Sequence, residues 1–477
     1  MLKKYIVAAV VACAGVQSCA QITGDNAAAP APTMPAGTPK NIIMIVADGM
    51  GPAYTTAYRN YRDNPDTPDV ETVVFDDILV GNASTYPAGV SGYVTDSAAA
   101  ATALASGVKS YNGAIGVNAD KQNVESVLQR AKALNMRTGV AVTSQINHAT
   151  PASYIAHNES RKNYNALADS YFDDRINGKF VADVMLGGGT SYFERKDRDL
   201  VAQFIDSGYE YVDTYNRLAS LPKGSDVLGL FAPVGLPAAL DDSRKNRLAD
   251  LTEHAIKHLE NDNGFFLLVE ASQVDWAGHS NDIGSAMAEM HDLALTLDYL
   301  KTYVKSHPDT LVVLTADHST GGLTIGANGE YAWQPEFIKN MKRSVATMAQ
   351  DIENESDAVA YVEDSVGFSL TDEERNGVNA MMQQGDARSR YAAINKLLDI
   401  RTNTGWTTGG HTGVDVEVFA FGAGKDAFAG QLDNTDIAKN IFGFLNSRPA
   451  TKAAVKQPES KKTNPDVCDF KEDWRCQ

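Results

Sequence analysis

Six short, continuous apolar runs constrain this chain most: "NIIMIVAD", "RTGVAVTS", "ADVMLGGG", "FFLLVE", "TLVVLTAD" and "VEVFAFG". Runs of this length without alternation suit strands buried on both faces, as in a parallel sheet. Between them lie segments with helical spacing, such as "NVESVLQRAKALN" and "DIGSAMAEMHDLALTLDYLKTYVKS". Strand–helix alternation predicts an α/β fold, a doubly wound and mostly parallel sheet with helices on both faces. From about Leu323 to Thr404 the rhythm breaks into a stretch rich in Asn, Asp, Glu, Met and Gln, read as an insertion.

Open α/β sheets bind ligands beyond the carboxyl ends of their strands. Three predicted strands end there in a carboxylate: Asp48, Glu270, and Asp317 followed by His318. A fourth runs into His148 and Thr150. Asp275 and His279, four apart in "VDWAGH", share one side of a helical turn, and His411 precedes the last strand. Any one of these is unremarkable, since a strand-end Asp is commonly a turn former or cap. Their gathering at one sheet edge needs a further reason. Imidazole nitrogen with carboxylate oxygen suits Zn²⁺, and an all-oxygen set suits Mg²⁺. Asp275, His279 and His411 form one set with an open position. Asp48, Asp317, His318 and Ser97 form a second, and Glu270, Thr150 and the other oxygen of Asp48 a third.

Ser97 lies in "YVTDSAAAATALASG". Asp96 is a good N-cap, the alanines favour helix, and Gly107 is a good stop. A serine hydroxyl needs a base or a metal to become a nucleophile. No Gly-x-Ser-x-Gly elbow surrounds it, whereas a helix N-terminus favours an anion. Arg161 in "ESRK" is the candidate for a bidentate clamp on that anion.

Together, "VADGMG", "DSAAAATA", "HATPA", "ESRK", "VEASQVDWAGH", "TADH" and "GGHTG" resemble the alkaline phosphatases, from about Asn41 to Leu445. The resemblance implies a phosphomonoesterase working through a phosphoserine at Ser97, with Arg161 on the phosphate. It implies two zinc ions, one on Asp275, His279 and His411 and one on Asp48, Asp317, His318 and Ser97. It also implies one magnesium on Asp48, Thr150 and Glu270, with His148 beside it. His148 stands where the enterobacterial pattern has an aspartate, and Trp276 where it has a lysine, a pairing similar to the marine bacterial branch. The rival readings are a phosphodiesterase or another metal hydrolase of the same architecture, and a surface protein that binds phosphate or metal without turnover. The modification motif of the sulfatases, Cys/Ser-x-Pro-x-Arg, is absent.

The chain has 477 residues, with Lys+Arg 42 against Asp+Glu 60 and a formal net charge of −18. That balance argues against nucleic-acid binding, which needs basic patches. Residues 1–20 have Lys3 and Lys4, an apolar run and small residues, the pattern of an export leader. Two processing readings stand: cleavage before Gln21, or a lipoprotein box leaving a lipidated Cys19. Either implies a periplasmic or extracellular location, with a lipid anchor in the second case. Residues 21–40 read as a tether, 41–446 as the catalytic domain and 447–477 as a tail in which Cys468 and Cys476 could pair. A homodimer is expected, with the insertion covering the site or a partner subunit.

Overall fold

A computed structural model of the protein describes residues 37–383 and 385–448. The leader, Cys19, Cys468 and Cys476 lie outside the described residues.

The core is a ten-stranded sheet. Its order is Gly430–Asp433, Leu79–Ser84, Val416–Gly422, Thr310–Thr315, Asn41–Val46, Phe265–Glu270, Arg137–Gln145, Val184–Gly188, Val227–Leu230 and Glu210–Val212. The six strands expected from apolar runs are all present. Asn41–Val46, Phe265–Glu270 and Thr310–Thr315 are buried at every position, so both faces of the sheet are covered. Four strands come in addition, and they finish the two edges of the sheet. Leu79–Ser84 carries no apolar run and is only partly buried.

Pairing is parallel except around one strand. Val416–Gly422 runs antiparallel to both Thr310–Thr315 and Leu79–Ser84. Thr315 therefore faces Val418, and the segment entering Val416–Gly422 arrives at the same edge that the parallel strands leave. That reversal brings His411 to the carboxylates of the other strands.

Helix boundaries follow local chemistry. The helix Ser97–Ser106 begins where the Asp96 side chain accepts from Ala99 N and stops at Gly107 in the left-handed region, φ 73°. Val127–Ala133 carries a capping box between Ser126 and Gln129. Ile283–Ser306 is capped by Asp282.

The segment read as an insertion opens and closes in a clasp, Leu323–Ile325 paired antiparallel with Thr404–Trp406. Between them lie four helices, Val345–Asp351, Ala358–Val366, Asp372–Met382 and Ala387–Thr402. The last docks on the residue after His279: Tyr391 Oη and Asn395 Nδ2 each donate to the Ser280 carbonyl at 2.8 Å. Among the described residues no helix is long and apolar enough to cross a membrane.

Candidate active site

Strand register assembles the site. Val46 pairs with Thr315 on one side and Glu270 on the other. Asp48, Asp317 and Glu270 thus leave three neighbouring strands at one level. A two-stranded ladder pairs Thr320 with His411, and the short helix Gln273–His279 carries Asp275 and His279.

In the first cluster, Asp275, His279 and His411 converge. His279 Nδ1 lies 2.7 Å from the Gly409 carbonyl, and His411 Nδ1 lies 2.9 Å from the Thr95 carbonyl. A carbonyl only accepts, so both Nδ1 atoms carry the proton and both Nε2 atoms present lone pairs. Those two nitrogens stand 3.1 Å apart, 3.4 and 3.6 Å from the Asp275 oxygens. Lone pairs facing one another in this way call for a cation between them.

The second cluster joins Asp48, Asp317 and His318, all fully buried. Asp317 Oδ1 accepts from the backbone N–H of Gly49 at 3.1 Å and of His318 at 2.9 Å. Its Oδ2 makes no hydrogen bond and lies 3.2 Å from His318 Nε2. Ser97 Oγ is 3.1 Å from the same nitrogen, at the start of its alanine-lined helix. The small side chains that follow it, Ala98 to Ala101, are all buried.

The third cluster gathers Asp48, His148 and Glu270, with Thr150 fully buried on the adjoining helix Ala149–Ile155. Ser144 and Ser272 donate to Glu270 Oε2 at 3.0 and 2.5 Å, while Oε1 is left without a partner. Arg161 Nη1 donates to the capping carboxylate of Asp96 at 3.1 Å, and its Nη2 donates to His148 Nε2 at 3.3 Å. The Trp276 ring stands edge-on to His148, centroids 6.0 Å apart. A Cβ on Gly235 would come within 2.4 Å of the Trp276 ring, so the neighbouring loop packs tightly on it.

Every residue expected from the sequence to be nucleophile, phosphate clamp or metal ligand thus falls within this edge or beside it. Three were passed over: Ser144, Ser272 and Thr320. Thr320 is fully buried and its hydroxyl donates to Asp275 Oδ1 at 2.5 Å.

The electrostatics fit cations. Burial, with Asp275, Asp317 and Glu270 nearby, raises the Asp48 carboxyl well above its ordinary range. Burial likewise pushes Glu270 up to about 7 and Asp317 up to about 8. It also drives His318 well below its usual value and His148 down to about 3. These two imidazoles are therefore neutral, and the carboxylates lack compensation. Both oxygens of Asp48 are buried without a hydrogen bond. Leaving several buried carboxylates unpaired is costly enough that metal coordination is the usual resolution. The donor sets fit two nitrogen-and-oxygen sites and one oxygen-rich site.

Such an edge, with a serine at a helix N-terminus among mixed metal ligands, defines a metal-dependent hydrolase. A profile of the alkaline phosphatase family matches residues 39–447, and the chain belongs to that family. Alkaline phosphatase 3 of Bacillus subtilis (strain 168) is 48% identical over 411 residues, covering 85% of this chain and 89% of that protein. The crystal structure of a cold-active alkaline phosphatase from the psychrophile Shewanella sp. superposes with a TM-score of 0.81 at 50% identity, over 85% of this chain and 99% of that one. A histidine-to-aspartate variant of the TAB5 alkaline phosphatase, solved with magnesium in its M3 site, aligns with a TM-score of 0.64 at 28% identity, over 86% of this chain and 98% of that one. The protein is a metal-dependent phosphomonoester hydrolase.

Proposed function

We propose that phosphate monoesters are cleaved by attack of Ser97 Oγ on phosphorus, giving a phosphoserine that water then hydrolyses. The observation that carries this is Ser97 Oγ beside His318 Nε2 at 3.1 Å, with the unpaired Asp317 Oδ2 on the same nitrogen. Zinc would be held by Asp275, His279 and His411 and by Asp48, Asp317, His318 and Ser97, and magnesium by Asp48, Thr150 and Glu270, with His148 adjoining. When bound, these cations supply Lewis acidity that stabilises the serine and leaving-group oxyanions and makes water nucleophilic near neutral pH.

The chain's own residues do the rest. The N-terminus of Ser97–Ser106 directs backbone N–H groups at an anion, and the flanking alanines leave room above Ser97. Arg161 holds two phosphoryl oxygens and stabilises the charge that spreads over them. Asp96 fixes both parts, because it caps the Ser97 helix and pairs with Arg161. Ser144 and Ser272 occupy one oxygen of Glu270 and leave the other for a cation.

The export leader supports a periplasmic or extracellular enzyme, tethered by lipid if Cys19 is the first mature residue. The insertion reaches the first cluster through Ser280, the residue after His279. A homodimer is supported by apolar side chains left in solvent on the nucleophile's approach, Tyr93 at 89% and Val90 at 77% exposed, with Tyr86, Val94 and Val414. Light scattering should give twice the chain mass.

Activity and metal content together test the reading. Exhaustive chelation should abolish hydrolysis of p-nitrophenyl phosphate, and Zn²⁺ with Mg²⁺ should restore it, with bis-p-nitrophenyl phosphate a far poorer substrate. Full activity in demonstrably metal-free protein, or preference for the diester, would overturn it.

A further inference from the structure

We infer that the hydroxyl of Thr320 is a positioning relay that sets one ligand in each of the two histidine-containing clusters. The inference rests on the two-cation reading above. A carboxylate only accepts, so at 2.5 Å the Thr320 proton is committed to Asp275 Oδ1. Thr320 Oγ1 also lies 3.2 Å from His318 Nδ1. With its proton engaged, it can only accept there. His318 therefore carries its ring proton on Nδ1 and turns the Nε2 lone pair toward Ser97 Oγ, Asp317 Oδ2 and Asp48 Oδ1, at 3.1, 3.2 and 3.4 Å. One hydroxyl thus orients the Asp275 carboxylate for the first cation and selects the His318 tautomer for the second.

The surroundings hold this hydroxyl at its post. Thr320 is fully buried. It pairs in a ladder with His411, and its N–H donates to the Gly49 carbonyl at 3.1 Å. Its carbonyl accepts from Tyr54 Oη at 2.7 Å. The backbone is satisfied without the side chain, so the hydroxyl is free to serve the ligands. Two glycines make room for it. A Cβ on Gly49, at φ +76°, would come 2.7 Å from Thr320 Oγ1, and one on Gly278 would come 3.0 Å from Thr320 Cβ.

Histidine and carboxylate ligands are commonly oriented by such outer partners, whose loss costs about 10- to 100-fold in metal affinity. An ordinary partner serves one ion. The geometry here predicts that removing a single hydroxyl weakens both.

The test compares the zinc-loaded parent with Thr320→Val and Thr320→Ser by titration against a chromogenic chelator, with ¹⁵N NMR of labelled histidine. Thr320→Val keeps the shape and should loosen both zinc ions by about 10- to 100-fold, while Thr320→Ser should restore parental binding. In the parent stripped of metal, where no ion on Nε2 imposes the tautomer, His318 should show a protonated Nδ1. Parental affinity at both sites in Thr320→Val, loss at one site only, or an unprotonated Nδ1 in the stripped parent would overturn the relay. The NMR result decides the matter even if the valine variant fails to fold. A parent that binds no pair of zinc ions overturns the two-cation reading, and the relay with it, before any variant is compared.

Discussion

Arg161 bridges two functions: its guanidinium donates to the Asp96 carboxylate at 3.1 Å and to His148 Nε2 at 3.3 Å. One residue thus touches both the cap of the nucleophile helix and the oxygen-rich cluster. The phosphate clamp is held in place before substrate arrives, which lowers the cost of ordering it.

Arg161→Ala should raise KM for phosphate esters and weaken inhibition by free phosphate. Hydrogen bonds to charged groups are worth ~1.5–3 kcal/mol, which corresponds to roughly 10- to 100-fold in the inhibition constant. Metal content should not change. An unchanged phosphate inhibition constant would reduce Arg161 to a partner of Asp96.

The pair His148→Asp and Trp276→Lys should tighten magnesium and phosphate. A neutral imidazole adds no negative charge to the oxygen-rich cluster and favours zinc over magnesium. Trp276 carries no charge and packs against Gly235, whereas a lysine there would face the phosphoryl site and slow product release, which often limits turnover. Magnesium titration and phosphate inhibition of the double variant check this, and parental values for both would show that these positions do not tune the site.

Metal-free protein should lose stability as pH rises above neutral. Burial raises Glu270 to about 7 and Asp317 to about 8, above the ordinary carboxylate range of an unfolded chain. The native metal-free state therefore holds extra carboxyl protons from about pH 4 to pH 8, but up to about pH 6.5 the depressed His148 and His318 act with the opposite sign, so the net slope of stability against pH is negative from about pH 7 to pH 8. The carboxyl contribution is complete below the unfolded values and is lost as pH climbs through about 7 to 8. Metal binding should accordingly release protons, more at pH 6 than at pH 9. Urea unfolding of chelated protein from about pH 7 to pH 8 checks the sign, and a rise in stability with pH there would contradict it.

The parts of this structure that were legible in the sequence are those that repeat. Strands buried on both faces write continuous apolar runs, and a carboxylate closing such a run, as at Asp48, Glu270 or Asp317, marks the ligand edge. His411 was legible only as a residue before the last strand. Its place depends on that strand running antiparallel, which one chain segment does not encode by itself. Leu79–Ser84, next to the edge strand, lies partly in water and lacks the apolar run. Thr320, Ser144 and Ser272 are single hydroxyls without periodicity. Thr320 acquires its role from Asp275, 45 positions away, through tertiary contact alone. The four helices of the insertion begin at Ser344, Asp357, Thr371 and Asp386, each a side-chain cap. Those caps are readable, but the docking of the last helix on Ser280 is not.

The central claim is that Ser97 carries the phosphoryl group. Ser97→Ala should fold and keep its metals, since alanine suits the helix, and should lose activity by up to roughly 10⁶-fold. The direct measurement is an acid quench of the parent during turnover of labelled phosphate ester, followed by peptide mapping. Phosphoserine is expected on the peptide containing Ser97 and none in Ser97→Ala. Label on a peptide lacking Ser97, or full turnover with no phosphoserine formed, would contradict it.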